Sequence, residues 1–337
     1  MSADSNDQGY LNTGQSLCHD ADGQVMDCAG SGQDAEFGPG AAWPEPRFTV
    51  QDDVVRDNLT RLEWTRNALL PGFPLAWSEA LDFVEELNGK NYGGHADWRL
   101  PDRREMRSLI SYGARVPALP PDHPFTDMRS AWFWTATTYA GDPDYAWYVH
   151  TEGGRMFYGR KDGYFLVLPV RGQSPLLPAT GQTTSYDESG PDDARRDDTG
   201  NNTPWPLPRF VASDDSVLDK LTGLTWTRNA NLTNGTVNWE EAFALADRLN
   251  SEHHADCTGW RLPTINELES LVDASQTVPA LPADHPFTNT GEVYWSSTNS
   301  AFEPDWAMCL YLHKGAVGVG FKRGEPLNVW CVASSGG

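Results

Sequence analysis

Trp64-Thr65-Arg66-Asn67-Ala68 is spelled again, 162 positions on (64 to 226), as Trp226-Thr227-Arg228-Asn229-Ala230. The same offset carries Trp98-Arg99-Leu100-Pro101 to Trp260-Arg261-Leu262-Pro263, Val116 to Pro120 onto Val278 to Pro282, and Asp122-His123-Pro124-Phe125-Thr126 onto Asp284 to Thr288. One offset shared by separated blocks means a domain duplicated in tandem. Two domains of roughly 130–170 residues are of ordinary size, and each is long enough to bury its own core. The repeat extends into the segments before each domain. Thr13-Gly14-Gln15 matches Thr180-Gly181-Gln182, and Trp43-Pro44-Glu45-Pro46-Arg47-Phe48 matches Trp205-Pro206-Leu207-Pro208-Arg209-Phe210. The expected layout is a lead segment over 1–45, a domain over 46–173, a linker merged with a second lead segment over 174–207, and a domain over 208–337. Leu177-Pro178-Ala179-Thr180-Gly181 spells a sortase signal, but mid-chain and without an apolar tail, so it reads as coincidence.

Charge narrows the partners. Against 25 Lys+Arg stand 47 Asp+Glu, a formal net charge of −22, which repels phosphate backbones and argues against nucleic acid. The excess suits solubility, divalent cations, basic partners or a high-salt habitat. No apolar run approaches the roughly 18 residues that span a bilayer, so membrane insertion is not expected. Met1-Ser2-Ala3-Asp4-Ser5 shows no basic start or apolar stretch of a signal peptide.

Cysteines come and go in couples. Cys18 aligns with Ser185, and Cys28 has no cysteine opposite; Cys309 and Cys331 align with Tyr148 and Pro169. Joint presence in one copy and joint absence in the other is what disulfides leave, so Cys18–Cys28 and Cys309–Cys331 are expected. They imply an oxidising compartment and a secreted or cell-surface protein. The four lack a Cys-x-x-Cys knuckle, which disfavours zinc. Cys257 is left as a free thiol.

Each copy then reads in the same order. A short hairpin runs from Phe48 to Trp64, or Phe210 to Trp226. A helix follows with Trp77, Ala80, Leu81, Val84 and Leu87 on one face, matched by Trp239, Ala242, Phe243, Ala246 and Leu249. Thr236 or Asn238 is placed to cap the second copy's helix. After Trp-Arg-Leu-Pro, Asp102 with Glu105 and Thr264 with Glu267 form capping boxes for a second helix. The last third is β: Trp132 to Thr137, Tyr145 to His150, Arg155 to Tyr158 and Phe165 to Val170, repeated as Val293 to Thr298, Trp306 to Leu312, Ala316 to Phe321 and Leu327 to Val332.

Leu224-Thr225-Trp226, Gly259-Trp260-Arg261-Leu262-Pro263, Glu267-Leu268, Tyr294-Trp295-Ser296-Ser297-Thr298 and Cys331-Val332 together resemble the C-terminal domain of the Legionella collagen-like adhesin. The likeness covers about 46–173 and 208–333. Copy one departs from it with Phe133-Trp134-Thr135-Ala136-Thr137 and without the terminal cysteine. The resemblance implies an α+β fold: two tandem C-type-lectin-like domains, each with two helices packed on a twisted antiparallel sheet and long loops that present the binding surface. The formylglycine-generating enzyme shares that fold, and the family namesake binds sulfated polysaccharide.

Candidate sites divide three ways. An enzyme of the formylglycine-generating kind needs a reactive cysteine pair, but here the pairs read as structural, and no Ser-His-Asp set or phosphate loop is present. No enzyme, catalytic residue or cofactor is therefore expected. His123 and His285 recur in Asp-His-Pro-Phe, where a turn is favoured over a metal or acid–base site. Arg99 and Arg261 are favoured as ties for a helix start over anion grips. Asp20-Ala21-Asp22-Gly23 carries a fragment of a calcium loop without its ligand ladder or closing Glu, so Asp20 and Asp22 stand as a metal alternative to a plain turn. For binding, aromatic faces stack on sugar rings. Trp134, Trp147 and Trp295 are assigned to the core, and Tyr139, Asn299, Phe302, His313 and Lys314 to exposed turns. With Tyr145, Arg155 and Arg160 these form the expected ligand set. Arg155, Arg160 and Lys161, with Lys314, Lys322 and Arg323, make basic clusters that would admit a polyanion. The function this points to is an extracellular adhesin or receptor-binding protein for a glycan or other surface macromolecule. The alternative is a subunit of an extracellular filament, with homo-oligomers.

Overall fold

A computed structural model describes residues 9–184, 186 and 202–334. Met1-Ser2-Ala3-Asp4-Ser5 and residues 187–201 of the linker lie outside the described residues. The chain forms two compact units: Met1–Ala42 with Trp205–Gly337, and Trp43–Pro204. The first lead segment therefore belongs with the second repeat, not with the domain it precedes in sequence. That segment holds β1 (Cys18–His19) paired antiparallel with β2 (Val25–Met26), then the single-turn α1 (Asp34–Phe37). Cys18 and Cys28 close the hairpin with a disulfide, as expected.

In the Trp43–Pro204 unit, β3 (Phe48–Gln51), β4 (Val54–Asp57) and β5 (Glu63–Thr65) form a meander. The helices α2 (Trp77–Gly89) and α3 (Arg103–Ser108) follow, then an antiparallel run of β6 (Trp132–Thr138), β7 (Tyr145–His150) and β8 (Met156–Arg160). The chain returns as β9 (Val170–Arg171) beside β5, so the last strand of the domain closes on the first hairpin. β10 (Ser174–Pro178) pairs in parallel with β11 (Asn202–Thr203).

The other unit repeats this plan with β12 (Phe210–Ala212), β13 (Ser216–Asp219), β14 (Leu224–Thr227), α4 (Trp239–Ser251), α5 (Ile265–Ser270), β15 (Val293–Asn299), β16 (Trp306–Tyr311), β17 (Ala316–Phe321) and β18 (Val332–Ser334), the last lying beside β14. The architecture is α+β with few helices and antiparallel sheets. No helix among the described residues is long and apolar enough to cross a membrane.

Tryptophan sets the core in both copies. Trp77 and Trp239 open the long helices, are buried, and donate their indole N–H to the carbonyls of Thr135 and Ser296, each at 2.9 Å. Trp134 and Trp295 donate to Leu75 and Val237 at the same distance. Each ring fills apolar volume while its one polar atom is satisfied. Trp134, Trp147 and Trp295 are all buried, as expected. The inward face of α2 is the expected one, but in α4 Leu245 is buried where Phe243 was expected; Phe243 is half-buried, edge-on to Trp239 at 4.8 Å. Asn238 caps α4, and both capping boxes of the second helices form.

Cys309 and Cys331 do not form the expected bridge; both are buried thiols. Cys331 packs with Trp239, Leu249 and Trp260 beneath α4, while Cys309 on β16 is hydrogen-bonded to Tyr311. Burial pushes each thiol up to about 12, and both serve as small apolar groups. Copy one carries Tyr148 and Pro169 at these two places. Cys257 is free, as expected, and half-buried.

Candidate binding surface

On β7 and β8, residues alternate between a core face and an outer face. Ala146 turns toward Trp134, whereas Tyr145 and Trp147 stand opposite Arg160 and Tyr158 on the other side. Trp147 is sealed from above by Arg103 of α3, its guanidinium 4.0 Å from the ring. The residues around it remain half-exposed or exposed and assemble into one aromatic patch. Tyr139 lies flat on Tyr158, centroids 3.8 Å apart and planes 7° from parallel, and Tyr145 meets Tyr158 edge-on at 5.9 Å. Burial first, then Tyr158, pushes the Tyr139 hydroxyl up to about 12. Arg160 lies 6.0 Å from the Tyr145 ring and is tied to Asp162 at 2.9 Å, which raises its pKa.

The structure thus gathers Tyr139, Tyr145 and Arg160, and adds Tyr158, which sequence reading did not select. Its signal is register: it sits opposite Trp147, on the face that carries Tyr145 and Arg160. Arg155 is not part of the patch. It is half-buried in the β7–β8 turn, where its carbonyl accepts the His150 N–H at 2.7 Å, and at about 3.3 Å per residue it stands roughly 16 Å along the strand from Arg160.

In the second copy the expected set disperses. Asn299 is fully buried, not exposed: its backbone is bound by Gln15, and its side chain by Gln33 and Lys322. It ends β15 under the lead segment, which covers a strand end that the sequence left open. Phe302 is exposed in the β15–β16 turn. His313 and Lys314 lie half-buried in the β16–β17 turn, with His313 Nδ1 3.2 Å from the Glu292 carbonyl and Lys314 Nζ 5.1 Å from the Tyr311 ring. Trp306 and Phe321, 5.4 Å apart, occupy the places of Tyr145 and Arg160.

The basic clusters change meaning as well. Lys161 and Lys322 are buried, 4.0 and 4.2 Å over Trp77 and Trp239. Arg160 is held by Asp162, and Arg323 by both oxygens of Asp22 at 2.6 and 2.7 Å. Asp20 Oδ1 accepts the N–H groups of Asp22 and Gln24, making a turn. Among the described residues no three His, Cys, Asp or Glu side chains are placed to hold a metal ion. His123 and His285 each lie 6.0 Å from the Phe two residues on, and burial lowers both pKa values. Arg99 and Arg261 tie helix starts: each guanidinium makes two bonds to the N3 carboxylate, Glu105 or Glu267, at 2.5–2.7 Å. A shallow groove beside α2, between Leu70, Phe73, Phe83 and the carboxylates of Glu79, Asp82 and Glu86, is a concavity that the sequence did not announce.

The model of the Lcl C-terminal domain matches residues 53–171 and again 215–333, one match per repeat. The chain belongs to the Lcl C-terminal domain family. Each Lcl C-terminal domain match starts in the turn of the first hairpin and stops in the strand that closes on it, leaving both lead segments outside. No curated protein matches the chain.

Proposed function

We propose that this is an extracellular, non-enzymatic recognition protein of two C-type-lectin-like domains, and that it binds a glycan through the Tyr139–Tyr158 platform of the first domain. The observation that carries the reading is the stacked, half-exposed tyrosine pair, flanked by Tyr145 and rimmed by Arg160 and Asp162. Flat aromatic faces take the apolar side of a sugar ring, while phenol, guanidinium and carboxylate groups address hydroxyls. Pairing of Arg160 and Arg323 with carboxylates, and burial of Lys161 and Lys322, favour a neutral ligand over a sulfated one. The Cys18–Cys28 disulfide is consistent with an oxidising compartment. Thiols pushed up to about 12 do not suit the nucleophilic chemistry of a formylglycine-generating enzyme.

A glycan array with the full chain, followed by titration of the strongest ligand, tests this. Tyr158→Ala should weaken that ligand by about 3- to 10-fold, the worth of one aromatic contact, without shifting the melting temperature by more than a few degrees. Silence across neutral and sulfated glycans, or binding indifferent to Tyr139→Ala and Tyr158→Ala, would refute it. The filament reading is favoured by a separate observation, the docking of the lead segment.

A further inference from the structure

Thr13-Gly14-Gln15 and Thr180-Gly181-Gln182 play no part in the tyrosine platform, yet they do the same work in both units. In each, the Thr hydroxyl accepts the Gln N–H at 3.2 Å and turns the chain so that the Gln amide points into the domain. Gln182 accepts the Thr138 N–H and donates to the Thr138 carbonyl, both at 3.0 Å. Gln15 does this to Asn299 at 2.8 and 2.9 Å. Thr138 and Asn299 are the last residues of β6 and β15, so each Gln amide stands in for a missing neighbour strand.

The two docks differ in what feeds them. The dock on the first repeat is filled by the segment that follows it directly, β10 onward. The dock on the second repeat is filled by residues 9–42, which precede it by a whole folded repeat; the chain passes from one unit to the other at Ala42–Trp43. This dock is polar and buried, so leaving it empty is costly. Lys322 donates to the carbonyls of His19 and Asp20 in the arm, and Thr298 donates to Asp34 at 2.5 Å. Asn266 donates to the Leu11 carbonyl at 2.8 Å.

We propose that residues 9–42 are an exchangeable donor arm, and that the dock on the second repeat takes the arm of a second copy of this chain, joining copies head to tail. The exchanged form keeps every dock contact; only the path from Ala42 to Pro46 changes. That stretch suits a hinge: Ala42 and Glu45 are exposed, and Pro44 and Pro46 carry no backbone N–H to pair. The inference is independent of the glycan reading.

Cross-linking between two tagged chains tests it. On the protein surface Asp22 of the arm meets Arg323 of the dock. In a Cys257→Ser background, full-length Asp22→Cys and Arg323→Cys chains carrying different mass tags are mixed over micromolar to millimolar concentrations and treated with a short bis-maleimide. Exchange predicts unlike pairs at least tenfold above like pairs, rising with concentration and reduced severalfold by Gln15→Ala in the Asp22→Cys chain. Light scattering of the unmodified chain should climb from the 37.3 kDa monomer over the same range. Unlike pairs no more abundant than like pairs would overturn the proposal, whether the unmodified chain stays monomeric or associates by another route.

Discussion

Asp34 shows how one residue can couple the arm to pH. It is buried, and burial pushes its carboxyl up to about 6, against the opposing pull of hydroxyl bonds from Thr298 and Thr13. A carboxyl raised above its unfolded value of 3.8 contributes stability that is fully present below 3.8 and lost as pH rises through 6. Acidification from pH 7 to 4 should therefore tighten the arm, relative to an Asp34→Asn chain, by roughly 2 kcal/mol. Hydrogen exchange of residues 9–42 in the two chains measures this, and equal pH dependence would contradict it. Lys322 carries the opposite sign: burial lowers it to about 8, so its contribution is complete above 10.5 and lost as pH falls through 8. Lys322→Met would strand the carbonyls of His19, Asp20 and Pro304 together with Asn299 Oδ1. That should cost about 2–3 kcal/mol in urea denaturation.

At the scale of elements, short helices depend on their first turn. α3 and α5 have six residues each, and each begins with a capping box whose N3 carboxylate also holds the Arg of Trp-Arg-Leu-Pro. Glu267→Gln leaves Arg261 charged, deeply buried and poorly paired, which should cost about 3–5 kcal/mol. In contrast, Asn238→Ala at the start of α4 should cost about 1 kcal/mol. Chemical denaturation of both variants checks the ordering; near-equal losses would sink it. These elements were legible because capping boxes and 3.6-residue periodicity are local. Phe243 was misplaced because a helical wheel gives the direction of a side chain but not the depth of its neighbour, here Trp239.

For the whole molecule, the crossing of arm and repeat makes a prediction that a simple tandem layout does not. Gln15→Ala should raise hydrogen exchange in β15, more than 280 positions away in the chain, and leave β6 unchanged. Gln182→Ala should do the reverse. Reducing Cys18–Cys28, whose partners are 10 residues apart, should loosen the arm by roughly 2–3 kcal/mol of loop entropy. The surface charge has a similar long-range side. Arg160 and Arg323, both read as open cations in the sequence, are held by carboxylates, the second by an Asp from the other end of the chain.

The sequence alone determined the duplication, the order of hairpin, helices and strands, the tryptophan core and the caps, because each rests on identity between copies or on spacing within a few turns. It also located the Cys18–Cys28 hairpin and most of the tyrosine patch, where partners are close in the chain or share a strand pair. Only the tertiary structure decided which repeat receives the first lead segment, since two copies of one domain present the same strand end to the same Thr-Gly-Gln. That choice buries Asn299 and Lys322, while the packing beneath α4 and along β16 keeps Cys309 and Cys331 as thiols. Exposure and pairing depend on what packs over a residue, and in this chain what packs over β15 comes from the far end.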